Sequence, residues 1–122
     1  MTEAKISVHS MGECSIIEIE GGLDAFVVTK VKDMINDLVG AAHTRIVVDM
    51  KAVEEINSTA LGILVSRLRR VRIHGGDIKL ARLSPSVRRV FDVMGASRIF
   101  EIHDDLESAA TSFEDPRVST RP

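Results

Sequence analysis

Arg45-Ile46-Val47-Val48-Asp49 constrains what this chain can fold into more than any other stretch. Three consecutive β-branched residues leave no polar alternate position, so a strand built from them has no face to give to water. Such a strand belongs inside a sheet covered on both sides. At 122 residues the chain can supply the neighbouring strands and the covering helices within one domain, without disulfides or metal.

The flanking segments read as those elements. Ile6-Ser7-Val8 is a short first strand, Ser10-Met11-Gly12-Glu13 a hairpin connection, and Cys14 to Glu20 a second strand. Ile17 and Ile19 alternate there with Glu18 and Glu20, giving one wet face, before Gly21-Gly22 interrupts the pattern. Asp24 is placed to cap a helix from Ala25 to about Val39, with Val27, Val28, Val31, Met34, Ile35 and Leu38 at helical spacing. Phe26 falls off that stripe by about 100° and is expected at the surface beside Asp24.

After the apolar run, Met50 to Ile56 reads as a connection that delivers the chain to Asn57-Ser58. A second helix is expected from Thr59 to about Ile73, its apolar face made of Leu61, Leu64, Val65, Leu68 and Val71. Ile63 is the misfit on the polar side, and Arg67 lies on the flank. His74-Gly75-Gly76 ends this helix, and Asp77 to Ala81 alternates as a strand. Ser84-Pro85 starts a helix through about Met94 bearing Val87, Val90, Phe91 and Met94, Ile99 to Ile102 is a final strand, and Asp104 or Asp105 caps a last helix through Leu106, Ala109, Ala110 and Phe113. The order is β-β-α-β-α-β-α-β-α: an α/β domain over residues 1–113 with a mixed, mostly parallel sheet and helices packed against it, followed by a frayed, flexible tail over 114–122.

Several functional classes find no footing. A net charge of −2 gives no general attraction to nucleic acid, and Arg67, Arg69, Arg70 and Arg72 read as a solvated face supporting a helix C-terminus. With four Phe and neither Trp nor Tyr, base-stacking platforms cannot be assembled. His9, His43, His74 and His103 are scattered, so no metal is expected, and no phosphate-binding glycine motif points to a nucleotide or other cofactor. No nucleophile-elbow sequence surrounds Ser58, and the chain is not expected to be an enzyme. Cys14 is expected to be a buried, inert thiol. Met1 to Lys5 shows no signal-peptide pattern and no run is long enough to enter a membrane, so a cytoplasmic protein is expected.

What remains is Glu55-Ile56-Asn57-Ser58-Thr59-Ala60-Leu61-Gly62. Asn57 or Ser58 can cap the helix with a side-chain oxygen, and the helix start offers unsatisfied N–H groups that favour an anion. As a strand-to-helix junction at a strand's carboxyl end, it lies where open α/β sheets place their ligand contacts.

With Gly22-Leu23-Asp24 and Ile46-Val47-Val48-Asp49, the string Asn57-Ser58-Thr59-Ala60-Leu61-Gly62 gives the chain a family likeness from about Ile6 to Ala110. It resembles the STAS domain, and most of all the bacterial anti-sigma factor antagonists. The family's usual pattern is Asp-Ser-(Ser/Thr)-Gly-Leu with the first Ser phosphorylated, so the resemblance implies Ser58 as acceptor, Thr59 as a second candidate, and an acidic neighbour in Asp24. Asn57 and Ala60 depart from the pattern; Asn keeps the capping oxygen but loses a charge. The implied function is partner switching: the unphosphorylated chain binds an anti-sigma factor that is also a serine kinase and frees a sigma factor, phosphorylation of Ser58 ends the complex, and a serine phosphatase restores it. The expected partner surface is Asp24, Phe26, Asn57, Ser58, Thr59, Ile63 and Arg67. A non-switching STAS subunit of a transport or scaffold complex and a nucleotide-binding protein are the alternatives.

Overall fold

A computed structural model describes residues 5–114. The expected tail from 115 onward and the first four residues lie outside the described part. The strands are β1 (Lys5–Met11), β2 (Cys14–Leu23), β3 (Arg45–Ile56), β4 (Asp77–Ala81) and β5 (Glu101–His103). The helices are α1 (Ala25–Gly40), α2 (Ser58–Ile73), α3 (Pro85–Val93) and α4 (Leu106–Ser112), with a 3-10 turn at Ala96–Arg98.

The strands form one sheet in the order β1-β2-β3-β4-β5, with β1 antiparallel to β2 and the other neighbours parallel. Each parallel step needs a crossover helix, which is why α1, α2 and α3 line one face. Their apolar stripes meet Ile17, Ile19, Ile46, Val48, Ile78 and Leu80 in the main core. Alternation turns Ile16, Val47 and Ala81 the other way, where Ala109 of α4 covers them with Cys14 in a smaller core. The apolar run thus packs on both faces, as its composition requires.

β3 is longer than its sequence suggests. It continues through Met50 to Ile56, expected as a connection, and pairs there with a β2 that runs through Gly21-Gly22 to Leu23. Register shifts between Glu18 and Glu20 and between Gly21 and Gly22 each set one extra residue on β3. At the first of them Asp49, 5% exposed, accepts from the Lys51 N–H at 3.1 Å and holds the Arg82 guanidinium through both oxygens, its Nε at 3.1 Å. Arg82 is left-handed, φ 62°, and its N–H binds the His103 carbonyl at 3.0 Å.

Three smaller expectations are corrected, and one burial was not foreseen. The last strand is Glu101–His103, because Phe100 turns into the core beside Phe91 instead of extending (ring centroids 5.8 Å apart). Met94 follows α3 as its C-cap and is exposed. Ile63 is half-buried and packs against the main core, so it is no misfit on a polar face. Lys79, the polar residue between Ile78 and Leu80 in the expected alternating strand, is buried because α4 returns across it.

Candidate functional site

The carboxyl ends of β2 and β3 finish side by side, with Leu23 paired to Ile56. Each is followed at once by a helix cap. Asp24 Oδ1 accepts from the N–H groups of Phe26 (3.0 Å) and Val27 (2.9 Å), so α1 starts as expected. Asn57 Oδ1 accepts from the Ala60 N–H at 2.9 Å, which settles the capping role on Asn57 rather than Ser58. The Asn57 N–H reaches back to the Leu23 carbonyl at 3.3 Å, tying the two helix starts together.

Ser58 is therefore the first residue of α2 and Thr59 the second, both exposed, and neither hydroxyl takes a hydrogen bond from or gives one to the described residues. The first turn of α2 contains no acidic side chain, so its positive end is uncompensated from within the helix. Negative charge approaches from outside it. Glu55 lies over Gly22, where an added Cβ would meet its Oε1 at 3.4 Å, and a cavity of about 200 Å³ is lined by Gly22, Leu23, Asp24, Glu55, Ile56 and Asn57. Sequence reasoning missed Glu55, since only the continued β2–β3 ladder, which pairs it with Gly22, puts it there.

Phe26 stands in the first turn of α1 at 73% exposure, with the Lys30 ammonium 5.1 Å from its ring centre. This pair was also not foreseen, although the i, i+4 spacing on one helix was its available signal. Arg67 is differently placed from the rest. Its Nη1 donates to Asn36 Oδ1 of α1 at 2.7 Å and its Nε is buried without a hydrogen-bond partner among the described residues, so it joins α1 to α2. Ile63, one turn earlier on the same side of α2, packs inward with it. The structure thus gathers Asp24, Asn57, Ser58 and Thr59 at two adjacent helix starts, with Phe26 in the first turn of α1, and turns Ile63 and Arg67 toward the body of the domain.

The described residues hold no cluster of three or more His, Cys, Asp or Glu able to bind a metal, and none of their helices is long and apolar enough to cross a membrane. What the arrangement provides is two exposed hydroxyls without hydrogen bonds to the described residues, two helix caps and an exposed aromatic ring.

A five-stranded mixed sheet with three helices on one face and one on the other, its second helix starting beside the cap of the first, defines a small α/β domain. The chain belongs to the STAS domain family, whose model matches residues 5–109. It is similar to the anti-sigma F factor antagonist of Paenibacillus polymyxa, 25% identical over 100 residues that span 81% of this chain and 86% of that one. Its fold matches an anti-sigma factor antagonist from Mycobacterium paratuberculosis with a TM-score of 0.83 at 22% identity, over 93% of this chain and 96% of that one. It also matches the Bacillus cell fate determinant SpoIIAA in its phosphorylated form, with a TM-score of 0.70 at 21% identity, over 89% of this chain and 99% of that one.

Proposed function

We propose that this chain is an anti-sigma factor antagonist that works by partner switching, with Ser58 as the phosphorylated residue. The observation that carries the reading is the position of Ser58: exposed, unengaged, and first in a helix whose start is tied to the Asp24-capped start of α1. The name of the Paenibacillus relative and the phosphorylated state in which SpoIIAA was solved support it. In its unphosphorylated form the chain binds an anti-sigma factor with serine kinase activity through Asp24, Phe26, Asn57, Ser58 and Thr59, releasing a sigma factor in the cytoplasm. A serine phosphatase resets the switch.

The physical basis is local. Phosphorylation adds about −1.5 to −2 charges at pH 7. Within the domain that charge meets the positive end of α2 and its free N–H groups, so the fold tolerates it. Within a complex the same charge must be desolvated beside Asp24 and Glu55, which opposes binding. The contact surface breaks while the domain stays folded. Ile63 and Arg67 act in this reading by holding α2 against α1, not by touching the partner.

Incubation with the host's serine kinases followed by phosphosite mapping tests the assignment. Phosphate on Ser58 in the wild type, and none on the Ser58→Ala variant, is expected. Equal incorporation into both refutes Ser58, and phosphate on Thr59 alone moves the switch by one residue.

A further inference from the structure

β1 is an open edge. Of its seven residues five are exposed and two half-buried, and Val8 is 45% exposed, one of the few large apolar side chains at the surface. The other edge, β5, is three residues long. Natural edges are usually blunted by charge, proline or a bulge; β1 has one lysine, at its end, and pairs with β2 without a register shift.

The pairing fixes which backbone groups are free. Met11 and Cys14 close a two-residue turn, with Gly12 at φ 62° in the position a II′ turn gives glycine. That closing pair is hydrogen-bonded, and in an antiparallel ladder the bonded pairs alternate. Met11, His9, Ser7 and Lys5 therefore direct their N–H and C=O groups to β2. Ser10, Val8 and Ile6 direct theirs outward.

Those three residues are symmetric about Val8. We infer that β1 pairs with β1 of a second copy of this chain, antiparallel and centred on Val8, joining two five-stranded sheets into one of ten. A twofold axis there sets Val8 opposite Val8 and Ile6 opposite Ser10, and all outward groups of the three residues find partners in register. Charge permits it, because Lys5 falls opposite Met11 and no like charges face one another across the seam. Space permits it as well. Adjacent strands are about 4.8 Å apart, so β2 and its copy stand about 14 Å apart, wider than a helix of about 10 Å. α1 and its copy then fit on the same face, and the two Val8 side chains cover each other. With seven residues a side, the interface is at the small end for proteins, and a dissociation constant in the micromolar to millimolar range is expected.

Sedimentation equilibrium of the full chain from about 10 μM to 1 mM tests this, with a dimer of about twice 13.4 kDa expected to grow with concentration. Val8→Lys, which sets like charges against each other at the axis, and Ser10→Pro, which removes one outward N–H and leaves the bonds to β2, should each raise the dissociation constant at least tenfold with an unchanged far-UV spectrum. Register is read by cross-linking. Residues of a hydrogen-bonded pair lie about 5.5 Å apart at Cα, within disulfide reach, so Val8→Cys should form a covalent dimer under mild oxidation. Lys5→Cys, about 20 Å from its copy, should not. A monomer at every concentration overturns the inference, and so does a dimer that survives both variants or cross-links equally through Lys5→Cys.

Discussion

Lys79→Ala probes how the second face of the sheet is held. The Lys79 side chain is 1% exposed, and its three ammonium hydrogens have three destinations. Nζ donates to Ser112 Oγ of α4 at 2.6 Å, lies 3.3 Å from Glu101 Oε2 of β5, and sits 4.2 Å from the centre of the Phe113 ring. Among the described residues the apolar core under α4 is small, with Cys14, Ile16, Val47, Ala81 and Ala109 buried and Met11, Leu106, Ala110 and Phe113 partly buried against them, so this network adds to what docks the helix. Breaking a buried pair by removing one partner costs about 3–5 kcal/mol, because the other charge stays buried. Glu101 retains His103 Nε2 at 2.8 Å, which puts the expected cost at the lower end, about 3 kcal/mol. For a domain of this size that lowers Tm by about 12 °C, at about 4 °C per kcal/mol. Without Trp or Tyr the chain is followed by far-UV circular dichroism, in urea and on heating. Lys79→Met combined with Glu101→Gln removes both charges at similar volume and should restore stability to within about 1 kcal/mol of wild type. A loss below about 1 kcal/mol for Lys79→Ala, the range of an exposed pair, refutes the buried latch.

The same network sets an acid limb. Burial pushes the Glu101 carboxyl up, but the hydrogen bond from His103 and the nearby Lys79 ammonium outweigh it and hold the group below its ordinary value of 4.5. A lowered folded value means stability that is complete above about 4.5 and is lost as pH falls through the folded value, so urea midpoints should drop below pH 4.5 and Glu101→Gln should flatten that drop. Gly76→Ala would drive a Cβ into the Thr44 carbonyl oxygen and should cost at least about 2–3 kcal/mol in urea melts, whereas Gly62→Ala, with nothing within 4 Å in the first turns of α2, should gain about 0.5–1 kcal/mol. Asn57→Ala removes the Ala60 cap and should cost about 1 kcal/mol, while Asn57→Asp keeps it; equal losses in both would show that the cap contributes nothing. Phe26→Ala should change stability by less than about 0.5 kcal/mol, given its exposure, and weaken binding to the anti-sigma factor in a pull-down or calorimetric titration.

Strand and helix order was legible because most elements obey one period. Val27, Val28, Val31 and Ile35 at helical spacing, and Ile17 and Ile19 at a spacing of two, report their own burial. The upper half of β3 does not. Its buried residues Met50, Val53 and Ile56 recur every third position, since each of the two register shifts adds a residue to β3 and resets the alternation. A spacing of three matches no strand template, and the charged Lys51, Glu54 and Glu55 between those positions resemble a loop. The burial of Lys79 was not legible for a different reason: it depends on α4, an element about thirty residues away that nothing in the alternation of β4 announces.

The candidate site was legible in its parts and not in its assembly. Asp24 and Asn57 announced their caps locally, and Phe26 its exposure, because each depends on a few neighbouring residues. That Asp24 and Asn57 belong to one surface depends on β2 and β3 remaining paired to Leu23 and Ile56, beyond the point where β4 has ended at Ala81. The two extra residues of β3 make that possible. They let β3 bend with β2 while still returning Ile56 to the core, with Val53 and Met50 below it. A β3 one residue shorter would turn Ile56 outward and swing the start of α2 to the other face of the sheet. Asn57, and with it the start of α2, owes its place beside Leu23 and Asp24 to irregularities in the strand that ends just before it.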